Sequence, residues 1–171
     1  MVQKLVCLFA SALVATVAVR AQSAAAPTVK QRLVTVAGEL KILQLDEGML
    51  GRRFVITLNN DRVLTTDGDD ASGRYHEFPV PNIVKHVSAR VPPFDEVVVM
   101  QQHMWGNACD GGPIWFLGIR KNGSFEISNE IDFCGGAAPI ITEERDRIIV
   151  AIPGGATWIY QNGKAHHSES R

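Results

Sequence analysis

The chain has 171 residues, of which 46% are hydrophobic and 20% charged, with 17 Lys and Arg against 18 Asp and Glu. A chain of this length buries a substantial core as one domain, and its ordinary apolar fraction excludes disorder as the main state. A formal net charge of −1 lacks the basic footprint of a nucleic-acid-binding protein. The composition therefore predicts one folded domain with no nucleic-acid partner.

The N-terminus has the pattern of a secretory signal peptide. Lys4 is followed by fifteen apolar or small residues, 5–19, which is shorter than the roughly 20 residues that a bilayer-spanning helix needs. Small residues at Val19 and Ala21 favour cleavage before Gln22, and a second candidate site lies before Ala24. We expect residues 1–21 to be removed and the mature protein to be periplasmic or secreted, without a stable membrane anchor.

Removal of this segment changes the charge and the cysteine count. Lys4 and Arg20 are lost without any acidic residue, so the formal charge falls from −1 to −3, and Cys7 is lost as well. The two remaining cysteines, Cys109 and Cys134, predict one disulfide, because exported proteins fold under oxidising conditions. Neither has neighbours with metal-ligand spacing, and we expect no metal or cofactor.

After the signal peptide the chain consists of short apolar or alternating runs separated by turn residues, which is typical of an all-β domain. The runs at 97–100 and 114–117 are continuously apolar, as in strands that are covered on both faces. The pattern predicts an antiparallel sandwich or irregular barrel built from successive hairpins over 32–166, between a linker (22–31) and a flexible tail (167–171). The predicted strands are 32–37, 39–45, 53–58, 62–65, 83–90, 97–100, 114–117, 125–128, 140–142, 147–152, 157–160 and 164–166.

Three segments share a strand–turn–strand form, with turns at residues 59–61, 122–123 and 162–163. The Asn-Gly pairs at the last two favour two-residue type I′ turns. Unequal spacing favours repeated use of hairpin chemistry over a true repeat. A two-residue turn at 122–123 would bring Cys109 and Cys134 within two residues of register, and flanking glycines could absorb the offset. A disulfide closing this loop of about 25 residues stabilises by about 3.5 kcal/mol in the chain-entropy treatment.

The stretch from Gly106-Asn107-Ala108-Cys109 through Asn122-Gly123 and residues 124–128 to Phe133-Cys134 resembles small exported proteins of Gram-negative bacteria. Those proteins are β-rich and carry one disulfide. The resemblance covers residues 97–152, about a third of the chain. It implies a β-rich periplasmic protein with one disulfide, and no activity.

Common catalytic signatures are missing from the sequence, which favours a protein that is not an enzyme. Residues 67–70 (Asp-Gly-Asp-Asp) resemble the start of a calcium loop, but Ser72 and Phe78 occupy the positions that require Gly and an acidic residue. A solvated turn explains them better. His166 and His167 could bind a metal with Glu169, but a frayed tail explains them better.

The most informative polar segment is 101–112, which contains His103, Trp105, Asn107 and Asp110 close to Cys109. A loop ordered by a disulfide loses less entropy on binding, and Trp is frequent at binding hot spots. These four residues predict a binding site for another exported protein or a glycan, for example in an inhibitor or immunity-type protein of the envelope. Two alternatives are a small periplasmic hydrolase that uses His103 and Asp110, and an envelope structural protein.

Overall fold

The computed structural model describes residues 26–46, 52–66, 80–103, 112–134 and 138–168, and these ranges contain only strands, turns and irregular segments. The all-β class is therefore confirmed. Across the described ranges no helix is long and apolar enough to cross a bilayer. The strands are β1 (Thr28–Thr35), β2 (Gly38–Asp46), β3 (Arg52–Leu58), β4 (Asp61–Thr66), β5 (Val80–Val87), β6 (Glu96–His103), β7 (Ile114–Ile119), β8 (Phe125–Ile127), β9 (Ile140–Glu143), β10 (Ile148–Ala151), β11 (Thr157–Gln161) and β12 (Lys164–His167).

These strands form three antiparallel sheets of four strands each, and in every sheet neighbouring strands are consecutive in the chain. Sheet 1 contains β1 to β4, sheet 2 contains β5 to β8, and sheet 3 contains β9 to β12. Two apolar clusters join them: one between sheets 1 and 2, the other between sheets 2 and 3. The fold is thus a stack of three up-and-down sheets, with sheet 2 in the middle.

The continuous apolar runs explain why sheet 2 is central. Successive side chains of a strand point to opposite faces. Val97 and Val99 of β6 accordingly lie in the cluster with sheet 3, whereas Val98 and Met100 lie in the cluster with sheet 1. All six residues of β7 are buried, and the ring of Phe116 stacks on Tyr160 of sheet 3 with 4.2 Å between centroids. The prediction that these runs are covered on both faces is confirmed.

The turns follow the sequence in two of the three predicted hairpins. Asn59 and Asn60 have φ values of 52° and 71°, and Asn162 and Gly163 have 53° and 82°, as type I′ turns require. The predicted two-residue turn at 122–123 is wrong. Residues 121–123 form a three-residue loop in which Gly123 alone has a positive φ, 86°.

The side chain of Asn122 accounts for that difference. Its Oδ1 accepts hydrogen bonds from the backbone N–H and the Oγ of Ser124, at 3.0 and 2.7 Å. An Asx-type contact of this kind stabilises an alternative to the type I′ turn. The strand register shifts by one residue as a result, so that Ile119 pairs with Phe125.

Two other sequence interpretations need correction. The three strand–turn–strand segments occupy the same place in each sheet, the hairpin between its third and fourth strands, so they mark a recurring four-stranded unit. Unequal spacing hid this unit because the connections between equivalent strands differ in length. The domain boundaries also move: β1 begins at Thr28, inside the predicted linker, and β12 ends at His167, inside the predicted tail.

Candidate binding site

The topology places five of the connections between strands at one end of the stack. In a sheet of four antiparallel strands, the chain enters and leaves at the same end, and the connection between the second and third strands lies there as well. The opposite end, here called the turn end, holds the hairpin turns within the sheets and also the eight-residue connection 88–95 between β5 and β6. There the Val36 N–H donates to Glu96 Oε2 at 2.8 Å, and a Cβ at Gly163 would lie 3.5 Å from the Phe94 ring. The three sheets are therefore aligned, and the connections 47–51, 67–79, 104–113, 128–139 and 152–156 start and finish at the other end, called the loop end.

The predicted binding segment joins the two central strands at the loop end. His103 is the last residue of β6, Gln101 pairs with Ile114 of β7, and the Gln102 N–H donates to the Pro113 carbonyl at 3.0 Å. Paired strands are about 4.8 Å apart, so both ends of the segment are fixed close together by the core of the stack. The side chains of His103, Trp105, Asn107 and Asp110 lie outside the described residues.

The predicted disulfide remains a prediction, because Cys109 also lies outside the described residues. Cys134 is described and exposed. It follows Ile131, which exchanges backbone hydrogen bonds with Ile114 at 2.7 and 3.0 Å. The chain therefore brings Cys134 to the loop end, near the point where the segment that carries Cys109 enters β7.

The acidic residues are concentrated in the loop-end connections. These connections hold eight acidic residues and one basic residue, Arg74. The chain without residues 1–21 has a formal charge of only −3, so the remainder of the fold is net basic. The sequence of the connections that start and finish at the loop end is therefore acidic. The eight acidic residues are Glu47, Asp67, Asp69, Asp70, Glu77, Asp110, Glu130 and Asp132.

A cleft that no sequence signal pointed to lies between the edge strands β8 and β12. Its volume is about 550 Å³, and it is lined by Glu126, Ile127, Asn129, Gly163, Lys164, Ala165 and His166. The Asn129 side chain donates from Nδ2 to the Ala165 carbonyl and accepts at Oδ1 from the Ala165 N–H, at 2.9 and 3.0 Å. One carboxamide thus takes the place of a neighbouring strand and covers part of the β12 edge.

The wall of this cleft is a packed network between sheets 2 and 3. The Arg120 guanidinium lies 4.6 Å above the Phe94 ring and binds Glu126 Oε1 at 2.6 Å. Burial raises the pKa of Tyr160 far above its ordinary value, and the nearby Glu126 carboxylate raises it further. The Tyr160 hydroxyl is thus held in its neutral form, and the network packs sheets 2 and 3 against each other.

No metal site is evident in the part of the chain that the structure describes, where no three His, Cys, Asp or Glu side chains cluster suitably. His166 and His167 are neighbours in β12 and point to opposite faces, so they cannot share one ion. The 67–70 segment and Glu169 lie outside the described residues. In comparisons with known proteins, the chain matches no family model, no curated protein and no solved structure.

Proposed function

We propose that this protein is an exported binding protein whose recognition surface lies at the loop end. One observation carries the proposal: the segment with the predicted binding residues connects β6 and β7, the two middle strands of the middle sheet, whose runs Val97–Met100 and Ile114–Ile119 are fully buried. Recognition segments on a rigid scaffold lose little conformational entropy when they bind. His103, Trp105, Asn107 and Asp110 are the residues that we assign to recognition.

The charge of the loop end supports a partner with a basic surface. Eight acidic residues against one arginine attract such a surface over several ångströms and speed association, and salt screens the attraction. The partner class that we favour is another exported protein, which this protein inhibits or neutralises by covering a basic site.

Export and the disulfide belong to the same proposal. The apolar segment at 5–19 and the small residues before Gln22 support cleavage by a signal peptidase. The position of Cys134 at the loop end supports a bond to Cys109 that fastens the binding segment to the 128–139 connection.

The test is affinity capture from an envelope extract of the source cell, with the protein immobilised through its C-terminus. We expect one exported protein to be retained by the wild type and by Lys121→Ala, a control at the exposed turn end, but not by Trp105→Ala. The retained protein should elute with salt. Equal retention by all three forms would contradict the proposed surface, and no retention by any form would contradict a binding function.

A captured enzyme whose activity falls on addition of the wild type would establish inhibition. Conversion of the captured molecule by the wild type, but not by His103→Ala, would instead establish the hydrolase alternative. The two outcomes differ in which protein performs the chemistry, so the same preparation distinguishes them.

A further inference from the structure

The hairpin between β1 and β2 holds apolar side chains in solvent at the turn end. Val34 is 79% exposed and Val36 is 36% exposed, although both belong to a well-ordered strand and its turn. Single exposed aliphatic residues are ordinary on protein surfaces, but two that project from one hairpin tip form a shape that can enter an apolar phase.

The tip is rigid, so these valines cannot turn inward to the core. The Val36 N–H donates to Glu96 Oε2 of the central sheet at 2.8 Å, and Thr35 Oγ1 donates to the Gly38 carbonyl at 2.8 Å. The Asn59 side chain donates to the Ala37 carbonyl and so ties the turn to the neighbouring hairpin. The inward positions beside Val34 are already occupied by Leu33 and Thr35.

Basic side chains lie just behind the apolar tip. Arg32, whose side chain is 62% exposed, is two residues from Val34 along the same face and pairs across the hairpin with Lys41. With a rise of about 3.3 Å per residue, the guanidinium begins about 7 Å behind the valine. Lys30, also exposed, follows further back. The Glu39 carboxylate lies between Arg32 and Lys41: its Oε1 is 3.4 Å from Arg32 Nη1 and its Oε2 is 2.8 Å from Lys41 Nζ. Two positive side chains therefore share one negative one.

This order of groups matches the surface of an anionic bilayer, where the apolar face of a peripheral element is buried about 5–10 Å into the boundary between headgroups and acyl chains while basic groups stay near the anionic headgroups. We propose that the β1–β2 hairpin is a peripheral docking site for an anionic phospholipid surface. Val34 and Val36 enter the acyl boundary, and the exposed Arg32 and Lys30 bind the headgroup phosphates.

The sequence of the loop-end connections favours the same orientation. Their eight acidic residues and one arginine belong to segments that start and finish at the end opposite the hairpin, so we expect an anionic membrane to attract the hairpin face rather than these segments. An approach with the turn end toward the membrane therefore needs no rearrangement of the fold. It also leaves the loop end facing away from the lipid.

The test is co-sedimentation of the processed protein, purified from cells that express the full chain, with vesicles of 30% phosphatidylglycerol and 70% phosphatidylethanolamine. We expect binding to these vesicles at low salt and much weaker binding to pure phosphatidylcholine. Val34→Ser combined with Val36→Ser should lower the partition coefficient about tenfold or more, and Arg32→Gln about fivefold. The matched control is Ile140→Ser, which removes an aliphatic side chain, 62% exposed, from the outer face of sheet 3. It should leave binding unchanged.

Three outcomes would overturn the proposal. Equal binding to both kinds of vesicle would exclude headgroup recognition. If the double valine variant and Ile140→Ser lowered the partition coefficient equally, the binding would be non-specific hydrophobic adsorption. If Arg32→Gln weakened binding but Val34→Ser combined with Val36→Ser did not, the hairpin would bind anions without entering the bilayer. An acidic protein could then be the partner instead of a membrane. Circular dichroism should show native spectra throughout, since every substituted side chain is exposed. None of these outcomes bears on capture at the loop end, so the two proposals fail or succeed separately.

Discussion

Replacement of Asn129 by Ala tests the most specific contact between sheets 2 and 3. The substitution removes both hydrogen bonds to Ala165, a residue that is only 7% exposed, and leaves its N–H and carbonyl without these partners. An unsatisfied buried polar group costs about 1–3 kcal/mol. Because the contact adjoins an open cleft, we expect each loss to lie near the lower limit and the free energy of unfolding to fall by about 2 kcal/mol. Urea denaturation followed by tryptophan fluorescence measures it.

Asn129→Asp is the matched control, because it keeps the shape and changes only the donor. An ionised carboxylate accepts from the Ala165 N–H but cannot donate to the Ala165 carbonyl, so the fold disfavours ionisation and raises the pKa of the new carboxyl. Stability relative to the wild type should be close to normal below pH of about 4 and reduced at pH 7. A loss below about 0.5 kcal/mol in Asn129→Ala, or no pH dependence in Asn129→Asp, would refute the strand-like role of this side chain.

Three further expectations follow from packing, burial and export. A Cβ at Gly118 would lie 2.5 Å from ring carbons of the fully buried Phe94, so Gly118→Ala should destabilise the protein by about 1–3 kcal/mol in urea denaturation. Adding Phe94→Leu to the Gly118→Ala chain should recover part of this loss. If the effects of the two substitutions were simply additive, the clash would be contradicted. Because burial raises the pKa of Tyr160, the free energy of unfolding should decline as the pH rises above about 10. Tyr160→Phe should show a shallower decline in urea titrations at alkaline pH. If the unfolding free energies of the two proteins depended identically on pH, the burial effect would be contradicted. Intact-mass analysis of the exported protein should show loss of residues 1–21 and of two hydrogens at Cys109 and Cys134, and free thiols would refute the disulfide.

The strands, and the coverage of two of them on both faces, were accessible from sequence because they depend on local patterns. A strand covered on one face alternates, whereas one covered on both faces is apolar throughout. The segments 97–100 and 114–117 belong to the second kind, and they became the two middle strands of the middle sheet. Asn162-Gly163 was equally informative, since few other residue pairs adopt two positive φ values.

The contacts between sheets could not be predicted in this way. Asn129 and Ala165 are 36 residues apart, and nothing near either of them distinguishes this asparagine from one in an ordinary turn. The turn at 122–123 was predicted wrongly for a related reason. The Asn122 side chain accepts hydrogen bonds from the backbone and the hydroxyl of Ser124, and these contacts favour a three-residue loop. The same Asn-Gly dipeptide predicts the turn at 162–163 correctly. Amino-acid composition and hydrophobic periodicity do not reveal the energies of individual side-chain hydrogen bonds such as these.

For the candidate binding site, the sequence supplied the residue types, and the topology supplied the reason for their location. Residues such as His103 and Trp105 attracted attention because polar and aromatic groups occur together near a cysteine. Only the aligned strand order of the three sheets shows that their segment shares an end with the connections 47–51, 67–79, 128–139 and 152–156. The cleft beside Asn129 had no such signal, because its lining comes from two edges that meet only when sheets 2 and 3 stack.

The even number of strands in each sheet has a physical consequence for function. The chain must enter and leave every sheet at the loop end, so segments can vary in length and charge there without disturbing the register of any hairpin. The closure entropy of a surface loop grows only slowly with its length, which makes such variation thermodynamically inexpensive. The two-residue turns at the turn end have the opposite constraint, because inserting one residue would shift a strand and reverse which of its faces is buried. The proposed recognition segments and the proposed docking hairpin can therefore coexist at opposite ends of the fold.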